Sequence, residues 1–325
     1  MLDANGTLFA NGDIKEIIFQ TRSRMAELIG YKDSKGTWVE KRPCPWDLEP
    51  LSAQERRAQC SLINSLTSHF KNGLMHQRMP LPSTYEFRQT SDGYPVHLIS
   101  YEGRNCVQEL VSCPSDSQYL IGLIIQAIRG ILEQEEPWQF TPDMRPDNFA
   151  INGNRSVIFV DIFPPLCRDS TGVYWVHYPN PSDTAIIERE KTRKFSLVGA
   201  VRRLRFFLMW IHAELEEILE RQLRLNLPES LAKRIISEYE MLPDKVLVGM
   251  SAPDRRKYIC LIPDNQEDVI RELSVRLVPE SNERTSILNT IFRLSSAYTD
   301  SDERGSQPER FTRAKEILIQ AAGLE

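Results

Sequence analysis

Up to about residue 110 apolar residues mostly alternate, interrupted by one helical stretch, and beyond it helical spacing prevails around one hairpin, which predicts a β-rich part followed by a mostly helical one. LFANGDIKEIIF carries an Asn-Gly turn at 11–12 and then alternates into Ile17, Ile18 and Phe19, the pattern of a hairpin. TWVEK at 37–41 reads as a short strand. STYEFRQT and YPVHLISYE flank Ser91-Asp92-Gly93, and CVQELV follows Gly103, so 83–111 reads as a meander. Between these, 51–73 has helical spacing, with Ala58, Leu62, Ile63, Leu66 and Phe70 on one face and a capping-box pattern at Ser52 and Glu55. The stretch YLIGLIIQAI at 119–128 is apolar nearly all round, which predicts a buried helix. FAI and SVIFV, separated by the turn residues NGN, predict a second hairpin.

Further on, 193–224 predicts a long helix or a bent pair. Helices are also expected over 228–242, 264–278 and 309–322, a loop over 249–257, and a polar connector over 295–308. The fold class expected is α+β, with a β-rich part over 1–110 and a mostly helical part over 111–325.

Composition narrows the class. At 325 residues the chain is long enough for one large domain or two lobes. A net charge of −5 argues against a general nucleic-acid binder. Six cysteines show no C-x-x-C and no zinc spacing with the five histidines, so they read as reduced thiols of an intracellular, cytoplasmic protein. The longest apolar run is too short to span a bilayer, so no membrane partner is expected. MLDANGTLFANGD lacks the basic region and apolar core of a signal peptide.

The chemistry concentrates in TPDMRPDNFAINGNRSVIFVDIFPP, Thr141 to Pro165. Asp143 and Asn148 stand five apart on the loop before FAI, and Asp161 follows thirteen later at the end of the second strand. A hairpin brings those two ends together. Two oxygen ligands beside a third oxygen group suit phosphoryl transfer. Magnesium takes hard oxygens, and a positioned carboxylate can orient a hydroxyl and accept its proton.

DMRPDN resembles the catalytic loop of protein kinases and their small-molecule relatives, D-x-x-x-x-N, and VDIF resembles a variant of their metal-binding D-F-G segment. The resemblance implies a two-lobed protein-kinase-like fold, as in aminoglycoside and choline phosphotransferases. It implies that Asp143 is the catalytic base, that Asn148 and Asp161 hold magnesium, and that Arg145 contacts phosphate. Lys41 falls where the family has its phosphate-binding lysine, with Lys35 and Arg42 as competitors. Glu55 either pairs with that lysine or only caps its own helix. Gly12 is the candidate for the glycine hairpin over the ATP phosphates, although no G-x-G-x-x-G is present. Glu109 to Val111 match the hinge whose backbone binds adenine. Thr141 replaces the family's His, and Ile162-Phe163 replace its Phe-Gly.

The implied activity is transfer of the ATP γ-phosphoryl group, with magnesium, to a hydroxyl or similar acceptor on a small molecule. The missing A-P-E segment favours a small molecule over a protein acceptor. The alternatives are an atypical protein kinase and a non-catalytic pseudokinase scaffold. Two stretches stay open. The stretch 163–183, with Tyr174, Trp175, His177 and Tyr178, reads as a substrate loop or as a surface hairpin. Arg202, Arg203 and Arg205 read as an anion-facing group or as a solvated basic face.

Overall fold

The computed structural model describes residues 8–10, 13–22, 26–43, 52–91, 93–135, 138–162, 167–168, 174–175, 195–263, 266–279, 282–287, 290 and 307–325. Two compact units divide the chain, Met1–Arg203 and Leu204–Glu325. The expected lobe boundary near 110 therefore lies inside the first unit.

The period-two segments of the first unit form a six-stranded antiparallel sheet. Its strands are β1 (Leu8–Ala10), β2 (Asp13–Arg22), β3 (Ala26–Asp33), β4 (Gly36–Pro43), β5 (Tyr85–Gln89) and β6 (Pro95–Ser100), in spatial order β1-β2-β3-β4-β6-β5. The β1–β2 hairpin forms as expected, pairing Leu8 with Lys15 and Ala10 with Asp13, while Gly12 at its turn lies outside the described residues. On β4, Lys41 sits between Leu28 of β3 and His97 of β6.

Helix α1 (Ala53–His76) crosses between β4 and β5 in the chain. Its buried stripe is Cys60, Ile63, Thr67, Phe70 and Leu74, so the expected face is rotated, and Ala58 and Leu62 are exposed. Thr67 explains the error. It is fully buried, and a polar residue on the core stripe hides that stripe from an apolar count. Cys60 Sγ reaches Gly93 O at 2.9 Å, which docks the helix on the β5–β6 turn.

The last part of the expected meander differs. CVQELV is not a strand but helix α2 (Cys106–Ser112), preceded by the short strand β7 (Arg104–Asn105). Asn105 starts the helix, its Oδ1 accepting from Val107 N at 2.7 Å. An N-cap outweighs the alternation of a six-residue stretch.

Helix α3 (Ser117–Leu132) is the buried helix expected. Ile121, Ile124, Ile125, Ile128 and Ile131 are fully enclosed. Behind it the chain passes through the loop 138–148 into β8 (Phe149–Ile151) and β9 (Val157–Phe159). These form the expected hairpin, and β7 extends it into a three-stranded sheet in the order β7-β8-β9. Strands β10 (Cys167–Arg168) and β11 (Tyr174–Trp175) pair antiparallel within the stretch left open, most of which lies outside the described residues.

Helix α4 (Leu197–Ile211) carries the unit boundary, and α5 (Leu215–Asn226) follows, so 193–224 resolves as a pair. The second unit continues with α6 (Glu229–Glu240), α7 (Pro243–Val246), α8 (Ala252–Leu261), α9 (Glu267–Leu277) and α10 (Gln307–Ala321). Helix α8 replaces the loop expected over 249–257. Ser251 caps it, and Ile259 is its one buried residue, so no apolar period marks it. The second unit has its own core, in which Leu247, Ile259, Ile270, Leu273, Phe311 and Leu318 pack together. Among the described residues no helix is long and apolar enough to cross a membrane.

Candidate active site

The loop 141–148 is held from below and from both sides. Met144 is fully buried, and Thr141 is buried too. Asp143 O accepts from Arg145 N at 2.8 Å and from Asn148 Nδ2 at 3.0 Å. Arg145 O accepts from Asn148 N at 3.0 Å, closing the 3₁₀ turn Pro146–Asn148. Asn105 Nδ2 donates to Asp147 O at 2.7 Å, so the residue that caps α2 also fixes this turn.

One backbone bond brings the two ends of the motif together. Val160 N donates to Asn148 O at 2.9 Å, one residue before Asp161. The β8–β9 pairing of Phe149 with Phe159 sets that register, and both rings are fully buried. Phe159 N in turn donates to Pro80 O at 2.9 Å. Asn148 and Asp161 are therefore placed by backbone and core, not by their own side chains.

Lys41 reaches this site from β4. Its ammonium donates to Asp161 Oδ1, and both side chains are mostly buried. Burial pushes the Asp161 carboxyl above the usual range. The Lys41 ammonium pulls it back, and the neighbouring Asp143 and Asp147 carboxylates add to the rise. Three carboxylates thus share one neighbourhood, and three cations answer them. Lys41 holds Asp161. Arg145 grips Asp147, with Nε to Oδ1 at 2.9 Å and Nη2 to Oδ2. Arg203 on α4 grips Asp143, with Nε to Oδ1 and Nη2 to Oδ2 at 3.0 Å.

Lys41, Asp143, Arg145, Asn148 and Asp161 are thus brought together, whereas three other expected site residues are not. Glu55 completes the capping box of α1, accepting from Ser52 N at 2.8 Å while Ser52 Oγ accepts from Glu55 N, and it is exposed. Of the two readings of Glu55, the structure shows the cap. Glu109 and Val111 lie in α2, and Glu109 O accepts from Cys113 N at 2.8 Å. A helical backbone directs its groups along the helix, so these two residues do not form an extended hinge. Gly12 lies outside the described residues.

One contributor was not singled out from sequence, and a second, Arg203, was left open between an anion-facing group and a solvated face. Asp147 stands in plain view inside RPDN, and a further carboxylate beside Asp143 and Asn148 is a usable signal. Arg203 reads from helical spacing as part of a solvated face, yet it and Arg205 both turn inward to carboxylates. Its partner lies sixty residues back, and no local period encodes that.

The donor set suits a magnesium nucleotide. The amide of Asn148 uses Nδ2 on Asp143 O, which leaves Oδ1 without a partner among the described residues. Lys41 takes one oxygen of Asp161. One carboxylate and one amide oxygen are the hard ligands magnesium accepts from a protein when phosphates and water supply the rest. No protein-family model matches the chain, and none of the curated proteins compared with it matches either.

Proposed function

We propose that the chain is an ATP- and magnesium-dependent phosphotransferase of the protein-kinase-like type, acting on a hydroxyl of a small-molecule acceptor. The observation that carries this reading is the meeting of Lys41, from the sheet, with Asp161, beside Asn148 and Asp143 at the mouth of the β8–β9 hairpin. A lysine and a metal-ligating carboxylate in contact before ligand binds can separate onto phosphate and cation when it does. Asn148 and Asp161 would hold magnesium, whose charge offsets that of the phosphates. Lys41 would neutralise phosphate oxygens, and Asp143 would orient the acceptor hydroxyl and take its proton. Arg145 is tied to Asp147, so its role in this reading is to brace the loop as well as to offer charge.

One observation favours a second reading, a nucleotide-binding pseudokinase. The proposed base is gripped on both oxygens by Arg203. Calorimetry with ATP, with and without magnesium, on wild type and Asp161→Ala tests the main reading. Binding that needs magnesium and is lost in Asp161→Ala is expected. Absence of binding by both ATP and GTP would remove it. Magnesium-dependent binding with no ATP turnover across a metabolite screen would select the pseudokinase.

A further inference from the structure

Asp143 is held on both of its oxygens in the arrangement seen. The guanidinium fork of Arg203 covers both of its oxygens. Such a fork is directional and strong, and it lies between the carboxylate and an approaching hydroxyl. Asp161 and Asp147 carry cations of their own in Lys41 and Arg145. The Arg203–Asp143 pair is only partly buried, with side chains 23% and 17% exposed, so a ligand can reach it. A planar fork that matches one carboxylate also matches another carboxylate or a phosphate.

We propose that Arg203 is an oxyanion seat. An anionic oxygen of a bound ligand takes the guanidinium from Asp143 and so uncovers that carboxylate to the acceptor hydroxyl. This rests on the phosphotransferase reading. In the step that follows, the acceptor O–H bond breaks and its proton passes to Asp143. The acceptor oxygen bonds to the γ-phosphorus, and the bond from that phosphorus to the bridging oxygen breaks, its electron pair leaving on ADP. The oxyanion has two sources of the same chemistry, the phosphoryl group being transferred or an acidic group carried by the acceptor. With either source the base is freed only when a ligand oxyanion is in place, which suppresses transfer to water.

The test follows the Arg203 Nε–H signal by NMR in the full chain labelled with ¹⁵N-arginine, assigned by its loss in Arg203→Lys. The probes are Mg·ADP, magnesium with a non-hydrolysable triphosphate analogue, and, on top of Mg·ADP, glycerate against glycerol and glucose 6-phosphate against glucose. The expected result is a saturable shift with the triphosphate analogue, or with glycerate or glucose 6-phosphate, and none with Mg·ADP, glycerol or glucose. A shift with the analogue assigns the transferred group as source, and a shift with the acids assigns the acceptor. Arg203→Lys keeps the charge but not the fork, and is expected to weaken the shifting probe at least tenfold while Mg·ADP affinity holds. An unmoved signal with every anionic probe, in protein that binds Mg·ADP, overturns the seat and leaves the nucleotide reading standing. Failure of every magnesium nucleotide to bind overturns both.

Discussion

Lys41 and Asp161 are 120 residues apart in the chain and meet because two separate backbones deliver them, β4 on one side and the Val160–Asn148 bond on the other. Each can therefore be changed without disturbing what places the other. Lys41→Met is expected to lower Mg·ATP affinity about tenfold to a hundredfold, the range for losing one hydrogen bond to a charged group. Glu55→Ala is expected to leave that affinity unchanged and to cost a little stability through the lost cap. Titration calorimetry on both variants checks this, and a large loss in Glu55→Ala would return Glu55 to the site. That Asp143, Asn148 and Asp161 come together was legible in sequence, because a hairpin between Asn148 and Asp161 returns the chain to its start. Glu55 was ambiguous because S-x-x-E serves a cap and a salt bridge equally well. Arg203 was legible only as one of two open readings, since a basic residue on a helix looks solvated until its carboxylate arrives from sixty residues away.

At the scale of elements, the β7-β8-β9 sheet carries the site, and two glycines in it make opposite demands. Gly103 has φ +134, and a Cβ there would lie 2.0 Å from Ile151 O on β8. Gly103→Ala is expected to cost about 1–3 kcal/mol through backbone strain and to weaken Mg·ATP by displacing the strand that leads from Asn148. Gly153, in the NGN turn, has open space around its missing Cβ, and the left-handed residue of that loop is Arg155 at φ 59. Asn152 Oδ1 accepts from Asn154 N and Ser156 N, so the turn is built by Asn152. Gly153→Ala is therefore expected to be neutral or to stabilise by up to about 1 kcal/mol through the unfolded chain. Urea midpoints of the two variants separate these outcomes, and a stability loss in Gly153→Ala as large as that in Gly103→Ala would defeat the argument. The turn was legible as a turn, but its glycine misdirects, because N-G signals position without saying which residue turns left-handed.

At the scale of the whole molecule, each compact unit holds its own core, and the second is pinned by buried charge. Arg205 on α4, over the Tyr239 ring, bonds Glu216 on α5 at 2.6 Å and Asp244 on α7 at 2.7 Å, while Arg276 on α9 closes the group and Lys245 approaches Glu216 at 3.2 Å. Burial alone would raise the Glu216 carboxyl, but Arg205 and Arg276 outweigh it and hold it below the ordinary range. A carboxylate with a depressed folded pKa contributes stability that is complete above its unfolded value, about 4.3, and is lost as pH falls through the folded one. Glu216→Gln leaves buried guanidiniums underneutralised, and is expected to cost about 3 kcal/mol or more at pH 7. The gap to wild type should then close below about pH 4, as the wild-type carboxylate takes up its own proton. Urea midpoints from pH 7 to pH 3 decide it, and a gap that stays constant across that range would mean that shape, not charge, is what Glu216 supplies. None of this network was legible, because charged residues on amphipathic helices are read as surface, and a buried cluster of four is recognisable only once four helices have met.

The same division bears on function. Every residue proposed to hold nucleotide lies in Met1–Arg203, while the core around Leu247, Ile270 and Phe311 lies in Leu204–Glu325. Binding to one unit raises the free energy of every opening that destroys the site, by about 2.7 kcal/mol at a ligand concentration a hundred times Kd. In hydrogen exchange with Mg·ATP, amides of α3 and of β8–β9 are therefore expected to slow about a hundredfold where their exchange requires the site to open. Amides of α9 and α10 are expected to keep their rates. The contrast depends on local rather than global opening, the ordinary behaviour of chains with more than one core. Equal slowing in both units would show that the chain opens as a single cooperative body, and that α4, which runs through the boundary, couples the cores on either side of Arg203 and Leu204.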